Sequence, residues 1–539
     1  MSPIYIIVVG ALVLCAATNS KSKPTITVLL LLIALFPVCV FAQTKPIIDS
    51  IIPGKAPVKQ QLKEIKAVKS QLLSDSAAGE PHKNSPLIDT TIQNKYGDLL
   101  NDDKKYNPKY PLWKPIVEVV GNNVFTWTLD KYILKEDFSN LGIGSWKYNI
   151  QQGWEWDSDR FGINFFAHPY SGAMYFNAAR SQGYNYWQSI PFAVEGSLMW
   201  EYFGETTRPS YNDLINTSLN GEFLGEMFYR LSSNILDDRT RGSERVFREI
   251  FAWLVDPERE LNRVLQGKAF RHTTNEVYQK EPLNITLFAG VHKINTGEKT
   301  VFGDGPTEAL INMQFDYGNP FEETYKKPFD FFKLRTEFSF GSGRKVLDNL
   351  TGYGILVGEN AKMGDLSILY GAFQYDDYWD NRTFELGALG FGGGIFTKYP
   401  VDDGVILYTN AHLAVIPLAG NGTRFGPDTS QLRDYTYDDG FEGKFESTLN
   451  FGKAFSASFV YYYYFLHTFV GQPGTNHISI LKPRITVQVA KNLNLGFEHF
   501  IYFDDRYLKN LPGIYSVRTE QKIYLSLFLE DSQRKGRYN

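Results

Sequence analysis

Cysteine is nearly missing from this 539-residue chain: two occur, Cys15 and Cys39, both ahead of residue 43. Past that point there is no disulfide framework and no thiol nucleophile. No later apolar run reaches 18 residues, so any membrane crossing by the remaining chain falls to β-strands. A one-sided charge is absent too. Lys and Arg number 55 against 59 Asp and Glu, a net charge of −4, which leaves no basic footprint for nucleic acid. What the chain has in quantity is aromatic side chains: 40 Phe, 33 Tyr and 9 Trp, beside 21% charged residues. That composition excludes a fibrous or disordered protein, and the many tyrosines supply rings with one apolar side and one wet end.

Two apolar stretches open the sequence, Ile4 to Ala17 and Ile26 to Ala42, separated by Lys21, Ser22, Lys23 and Pro24. The second has secretory grammar: a short basic flank, the run from Val28 to Phe36, and Val40 and Ala42 before the cut. Residues 1–42 are therefore read as a signal peptide region cleaved after Ala42. The first stretch is short for a membrane span and reads as an upstream extension of the frame, with an uncleaved anchor as the alternative. Bulky Val38 just before Cys39 argues against lipid attachment there. Removing 42 residues, Lys21 and Lys23 among them, leaves 497 residues and a balance of −6.

Residues 43–108 are rich in Lys, Pro, Ser, Gln and Asp and are expected to form a flexible periplasmic tail. From 109 to 272 apolar residues recur at three- and four-residue spacing, as from Trp113 to Val120 and from Arg245 to Leu254, which predicts a helical domain. From 273 to 531 the period is two. Phe332, Leu334, Thr336, Phe338 and Phe340 alternate with Lys333, Arg335, Glu337 and Ser339; Ile485, Val487 and Val489 alternate with Arg484, Thr486 and Gln488. The first set of each is assigned to hydrocarbon, the second to a wet interior. Segments beginning near Leu283, Leu310, Phe329, Leu350, Leu366, Thr383, Gly404, Phe441, Phe455, His477, Asn492 and Ser516 predict about twelve strands of about ten residues. Tyr461 to Tyr464, Tyr502, Tyr507, Trp379 and Tyr399 are expected in interfacial girdles. The fold class is thus an α+β membrane protein, a helical domain followed by an antiparallel transmembrane barrel, with a basic tail at 532–539. A soluble β-sandwich also alternates, but its strands are shorter.

The densest chemistry lies between Trp154 and Asp238. His168-Pro169-Tyr170, Ala179-Arg180, Trp200-Glu201-Tyr202 with Glu205, Pro209-Ser210-x-Asn212-Asp213 and Gly221 through Glu226 place polar and small residues among aromatics. This block resembles the defining region of a Gram-negative outer-membrane family of Bacteroidetes type known only as a domain of unknown function. More distantly it is similar to small helical membrane-associated lipoproteins. The resemblance covers about 120 residues; it implies an envelope location and no activity.

Glu201 and Glu205 stand one helical turn apart. If His168 met them, the trio would hold a divalent metal or act as a base with its orienting carboxylate, and Asp213 is the fourth candidate. No HExxH occurs, so the metal is left unknown. The competing reading is a buried polar network of Asn164, Tyr175, Arg180, Arg208, Asn212, Glu222 and Glu226, with the arginines compensating carboxylates and Gly221 and Gly225 permitting close packing. His477 or His499 with Ser479 or Ser526 suggests a barrel lipase in residue type alone. Gly390 to Gly394 reads as a barrel bend or close helix approach, and the pairs Asp376-Asp377 and Asp402-Asp403 as solvated turns open to calcium. Charged inward positions would leave a wide lumen, for which the helical block is the expected plug or periplasmic stopper.

The resulting expectation is a plugged outer-membrane barrel with a structural or envelope-assembly and export role. Its partners would be outer-membrane lipid and assembly or export machinery proteins, with no cofactor and no nucleic acid. The alternatives are a lipid-modifying hydrolase and, third, a restricted transporter.

Overall fold

The computed structural model describes residues 109–529 apart from 275, 297–299, 323–325, 342–345 and 424–434. The signal region with Cys15 and Cys39, the 43–108 tail and the 532–539 tail lie outside the described residues.

Twelve antiparallel strands close into a barrel, each bonded to its sequence neighbours and β1 to β12. They are β1 Leu283–Ile294, β2 Thr307–Tyr317, β3 Phe332–Phe340, β4 Leu347–Met363, β5 Leu366–Asp380, β6 Glu385–Asp402, β7 Val405–Gly422, β8 Tyr435–Phe451, β9 Phe455–Val470, β10 Gly474–Ala490, β11 Leu493–Leu508 and β12 Ile514–Leu529. From β4 onward the strands run 15 to 18 residues, longer than the ten-residue period predicts. At one end the β4–β5, β6–β7, β8–β9 and β10–β11 turns are two or three residues, held by left-handed positions such as Gly404 (φ 72°) and Asn492 (φ 60°), while β2 and β3 are joined by a longer loop.

Interior and exterior follow from which side chains meet across the barrel. Arg335 on β3 bonds Glu446 on β8 at 2.6 Å, Lys444 on β8 bonds Asp377 on β5 at 2.6 Å, and Lys522 on β12 bonds Glu337 on β3 at 2.6 Å. None of these strand pairs are wall neighbours, so the six side chains point into the lumen. Residues on the same strand two apart share that face, and directly paired residues share it across strands. Leu386, Ala388, Tyr462, Tyr464, Phe500 and Tyr502 therefore also point inward, where they pack with Trp379 and Phe384; the Phe384 and Tyr502 rings stack at 4.1 Å. Gly390, Gly392 and Gly394 sit on the inner face of β6 beside a register shift, where a Cβ at Gly394 would meet His412 Nδ1 at 2.4 Å. The glycine run is a bulged strand that admits lumen rings, without a helix against it.

Several expectations are corrected here. Tyr462, Tyr464, Tyr502 and Trp379 fill the lumen instead of forming girdles, while Tyr399, Tyr461 and Tyr507 are exposed. Asp376 and Asp377 lie buried within β5, because an acid pair that looks like a turn locally has its cation, Lys444, 67 residues away. Asp402 and Asp403 are exposed at the β6–β7 turn.

The helical block comprises α1 Trp113–Thr128, α2 Ile143–Gln152, α3 His168–Arg180, α4 Tyr186–Met199, α5 Tyr211–Ile215, α6 Gly221–Ile235, α7 Gly242–Val255 and α8 Pro257–Leu265. Four π-helical stretches, Leu129–Leu134, Ile163–Ala167, Trp200–Gly204 and Asn216–Asn220, join or extend them into runs of about 20 residues. No helix among the described residues is long and apolar enough to cross a membrane by itself. α3 and α6 touch through backbone: a Cβ on Gly172 would meet the Thr217 carbonyl oxygen, and one on Gly221 would stand 2.5 Å from Gly172 Cα.

The block does not plug the barrel. Gly387 pairs with Tyr378 and Gly420, one residue out of step with inward Ala388, so all three face outward. Phe165 lies on that side, 2.3 Å from where a Cβ on either glycine would be, and Phe161 stacks on Tyr378 at 5.7 Å. Phe223 packs with Phe329 and reaches outward Gly352, while outward Gln374 donates to the Leu219 carbonyl at 2.8 Å. Phe332, Leu334, Phe338 and Leu350, expected to face hydrocarbon, do face outward but are covered by helices. Elsewhere the outer wall is bare and apolar, as at Leu413, Val415, Val487, Ile523 and Leu525. The expectation of a wide lumen failed because the inward charges pair with each other over separations such as 111 residues from Arg335 to Glu446, leaving little to fill.

Candidate functional site

The first turns of α3, α5 and the neighbouring π stretches converge near the barrel wall. A π turn widens the helix by one residue, which displaces the i,i+4 register and frees backbone carbonyls that side chains then satisfy. Asn149 Nδ2 does so for the carbonyls of Glu201 (3.3 Å) and Glu205 (2.9 Å). Glu201 lies inside such a turn, and Glu205 follows its end in extended conformation (φ −144°, ψ 165°), so the two do not share an α-helical face as their spacing suggests.

His168 opens α3 and meets Asp213, not the two glutamates: Nε2 stands 3.3 Å from Asp213 Oδ1. Its Nδ1 lies 3.3 Å from Thr217 Oγ1. The other Asp213 oxygen accepts from the Ser210 hydroxyl, and the Ser210 backbone N–H donates to Glu201 Oε2. Asn212 Nδ2 also donates to Asp213 (2.8 Å), and its own Oδ1 accepts the backbone N–H of Asp157 at 3.2 Å. Thus His168, Asp213 and Glu201 belong to one chain of contacts through Ser210. Asp213 and Ser210 are completely buried, and His168 keeps 13% side-chain exposure.

Asp157 ties this chain to the barrel. Asn164 Nδ2 bonds Asp157 Oδ1 at 2.6 Å, Tyr435 at 2.6 Å and Tyr437 at 3.0 Å; Tyr437 donates to Asp157 at 2.8 Å. Both tyrosines sit on the outer face of β8, beside Gly420 and Gly422. Burial drives the Asp157 carboxyl well above its ordinary value, with Asp213 adding to the rise. Asp159 also faces this carboxyl, and hydrogen bonds from Asp159 and Tyr437 oppose part of the rise.

The remaining residues singled out in the sequence fall in separate places. Arg180 forms a two-pronged pair with Glu226 (2.7 and 3.1 Å), which Arg230 also joins at 2.8 Å. Burial pushes the Glu226 carboxyl up, but the two guanidiniums outweigh it and hold it below the usual range. Arg208 pairs with Glu155, away from Glu201 and Glu205. Tyr175 donates to Asn123. Glu222 meets Tyr186 and Gln374 at the helix–barrel interface.

Among the described residues no group of three His, Cys, Asp or Glu side chains is placed to hold a metal. His477 and His499 stand on the outer face: His477 bonds Tyr463 at 2.7 Å, and His499 accepts from Gln521 at 2.9 Å. Ser526 faces the lumen with Tyr524, so it cannot serve His499. Asp157, Thr217, Tyr435 and Tyr437 went unrecognised in the sequence. The one signal for the tyrosines was their period-two spacing ahead of Asp438-Asp439-Gly440, a stretch that reads as a turn.

A family model described as a domain of unknown function, DUF3943, matches residues 153–258. No curated protein sequence matches the chain. Solved structures similar to part of this chain include the outer membrane channel DcaP of Acinetobacter baumannii, at 11% identity over 46% of this chain and 96% of that one, TM-score 0.22. OmpT of Vibrio cholerae gives 9% identity over 46% and 96%, TM-score 0.23. The NanC porin gives 8% over 45% and 98%, TM-score 0.24.

Proposed function

We propose that this is an outer-membrane protein without an open channel, whose side-chain-filled barrel carries the helical domain in the lipid beside its wall and presents it as a structural component or docking element of envelope assembly or export. The observation that carries this reading is the pairing of opposite faces: Phe165 lies outside Gly387 and Gly420, while Arg335 and Glu446 close the lumen from within.

Two further features support it. α1 exposes Trp113, Val117, Val120 and Val124, and α7 exposes Val246, Ile250 and Trp253, each on one helical face. Such stripes would be costly in water, as would the bare apolar positions of the barrel wall. Asp213, Glu226 and Arg230 are instead turned inward and paired within the block, as a lipid surround favours.

A second reading has one specific observation in its favour. Thr217, His168 and Asp213 stand in the order hydroxyl, imidazole, carboxylate, as in hydroxyl nucleophiles with an oriented base. Thr217 is buried, however, and its partners are engaged in holding α3, α5 and the β8 tyrosines together. We assign the cluster to structure, with lipid hydrolysis second.

The test is electrical. Full-length protein inserted in planar bilayers should give no steady ohmic conductance. A steady porin-like conductance from the folded chain would overturn the filled-barrel reading.

A further inference from the structure

Where α6 and α8 approach the short-turn end of the barrel, Arg180, Arg230 and Arg259 line a cavity of about 50 Å³ with Tyr229, Ser233 and Tyr317. On that measure a single water needs on the order of 10–15 Å³, so the space admits a tetrahedral anion. Three guanidiniums line it and no carboxylate does. Glu226 and Asp330 lie behind the lining and engage Arg180 and Arg230.

Arg259 differs from the other two. It is buried, and every side-chain hydrogen bond it makes goes to a neutral oxygen: the Tyr229 carbonyl and the hydroxyls of Ser232 (2.7 Å) and Ser233 (2.7 Å). The Tyr229 ring is sandwiched between Arg259 at 3.9 Å and Arg180 at 4.1 Å, which fixes both guanidiniums. Asp256, on the turn before α8, gives an oxygen to the Arg259 backbone N–H at 3.0 Å. A second group points the same way. Tyr317, the last residue of β2, is fully buried; the Arg230 guanidinium faces its hydroxyl oxygen, and the O–H proton meets no acceptor among the described residues.

A buried guanidinium bonded only to neutral acceptors is costly unless an anion completes it, and planar forks favour phosphate oxygens. The geometry points to a phosphate-binding site in this cavity, with Arg259 and the Tyr317 hydroxyl as its donors. A phospholipid headgroup and free phosphate share this chemistry.

Detergent-solubilised full-length protein is examined by native mass spectrometry with phosphatidylglycerol, and by thermal shift with inorganic phosphate. Arg259→Gln and Tyr317→Phe are run in parallel, each checked for heat-modifiable migration. A phosphatidylglycerol adduct weakened about tenfold or more in both variants identifies a lipid headgroup. Stabilisation by inorganic phosphate without a lipid adduct, lost in both variants, identifies free phosphate. If Arg259→Gln fails to fold, Tyr317→Phe decides, since it removes one hydroxyl and leaves the ring packed. Absence of binding by either probe, or binding unchanged in the folded variants, overturns the site.

Discussion

The ring of Phe165 occupies the space a side chain at Gly387 would need: a Cβ there would meet Phe165 Cδ1 at 2.3 Å. Gly420, paired with Gly387 on the next strand, clears the other side of the same ring. Gly387→Val should therefore lever the helical block from the wall, costing about 1–3 kcal/mol as other overpacked cores do. The measurement is urea unfolding of the block followed by tryptophan fluorescence. The neighbouring Ala388→Val points into the lumen and should leave that transition unmoved.

His168 and Asp213 lead to opposite expectations in the two readings. If they serve structure, His168→Ala and Asp213→Asn should each destabilise the helical block by on the order of 1–3 kcal/mol, because each leaves buried polar partners unmatched. Lipid profiles of cells producing the variants should match wild type. A folded, equally stable variant with altered lipid composition would favour the hydrolase.

Much of the barrel was legible because its code is local. Alternation within a strand fixes inside and outside, and the strand starts read from it fall within six residues of those observed, the largest shift being Tyr435 for Phe441. What alternation does not contain is the partner across the lumen. Arg335 and Glu446, or Lys444 and Asp377, look like unpaired inward charges until the barrel closes, and alternation alone therefore calls for a plug. Nor does alternation tell which outward residues meet lipid and which meet helix, as Phe332 and Leu334 show.

The site was legible in residue type and less so in pairing. His168, Glu201, Asp213 and Asn164 stand in one connected cluster, but the π turn at Trp200–Gly204 displaced Glu205 from the expected face. The tethers from Tyr435 and Tyr437 reach back more than 270 residues to Asn164, beyond any local pattern.

The attachment of the helices to the outer wall is tested most directly by cysteine cross-linking, which the lack of native cysteine beyond residue 42 makes clean. Phe165→Cys combined with Gly387→Cys should form a disulfide in the folded protein in membranes, whereas Phe165→Cys with Ala388→Cys should not. Cross-linking of the Ala388 pair in place of the Gly387 pair would put the helices inside the barrel and contradict the account.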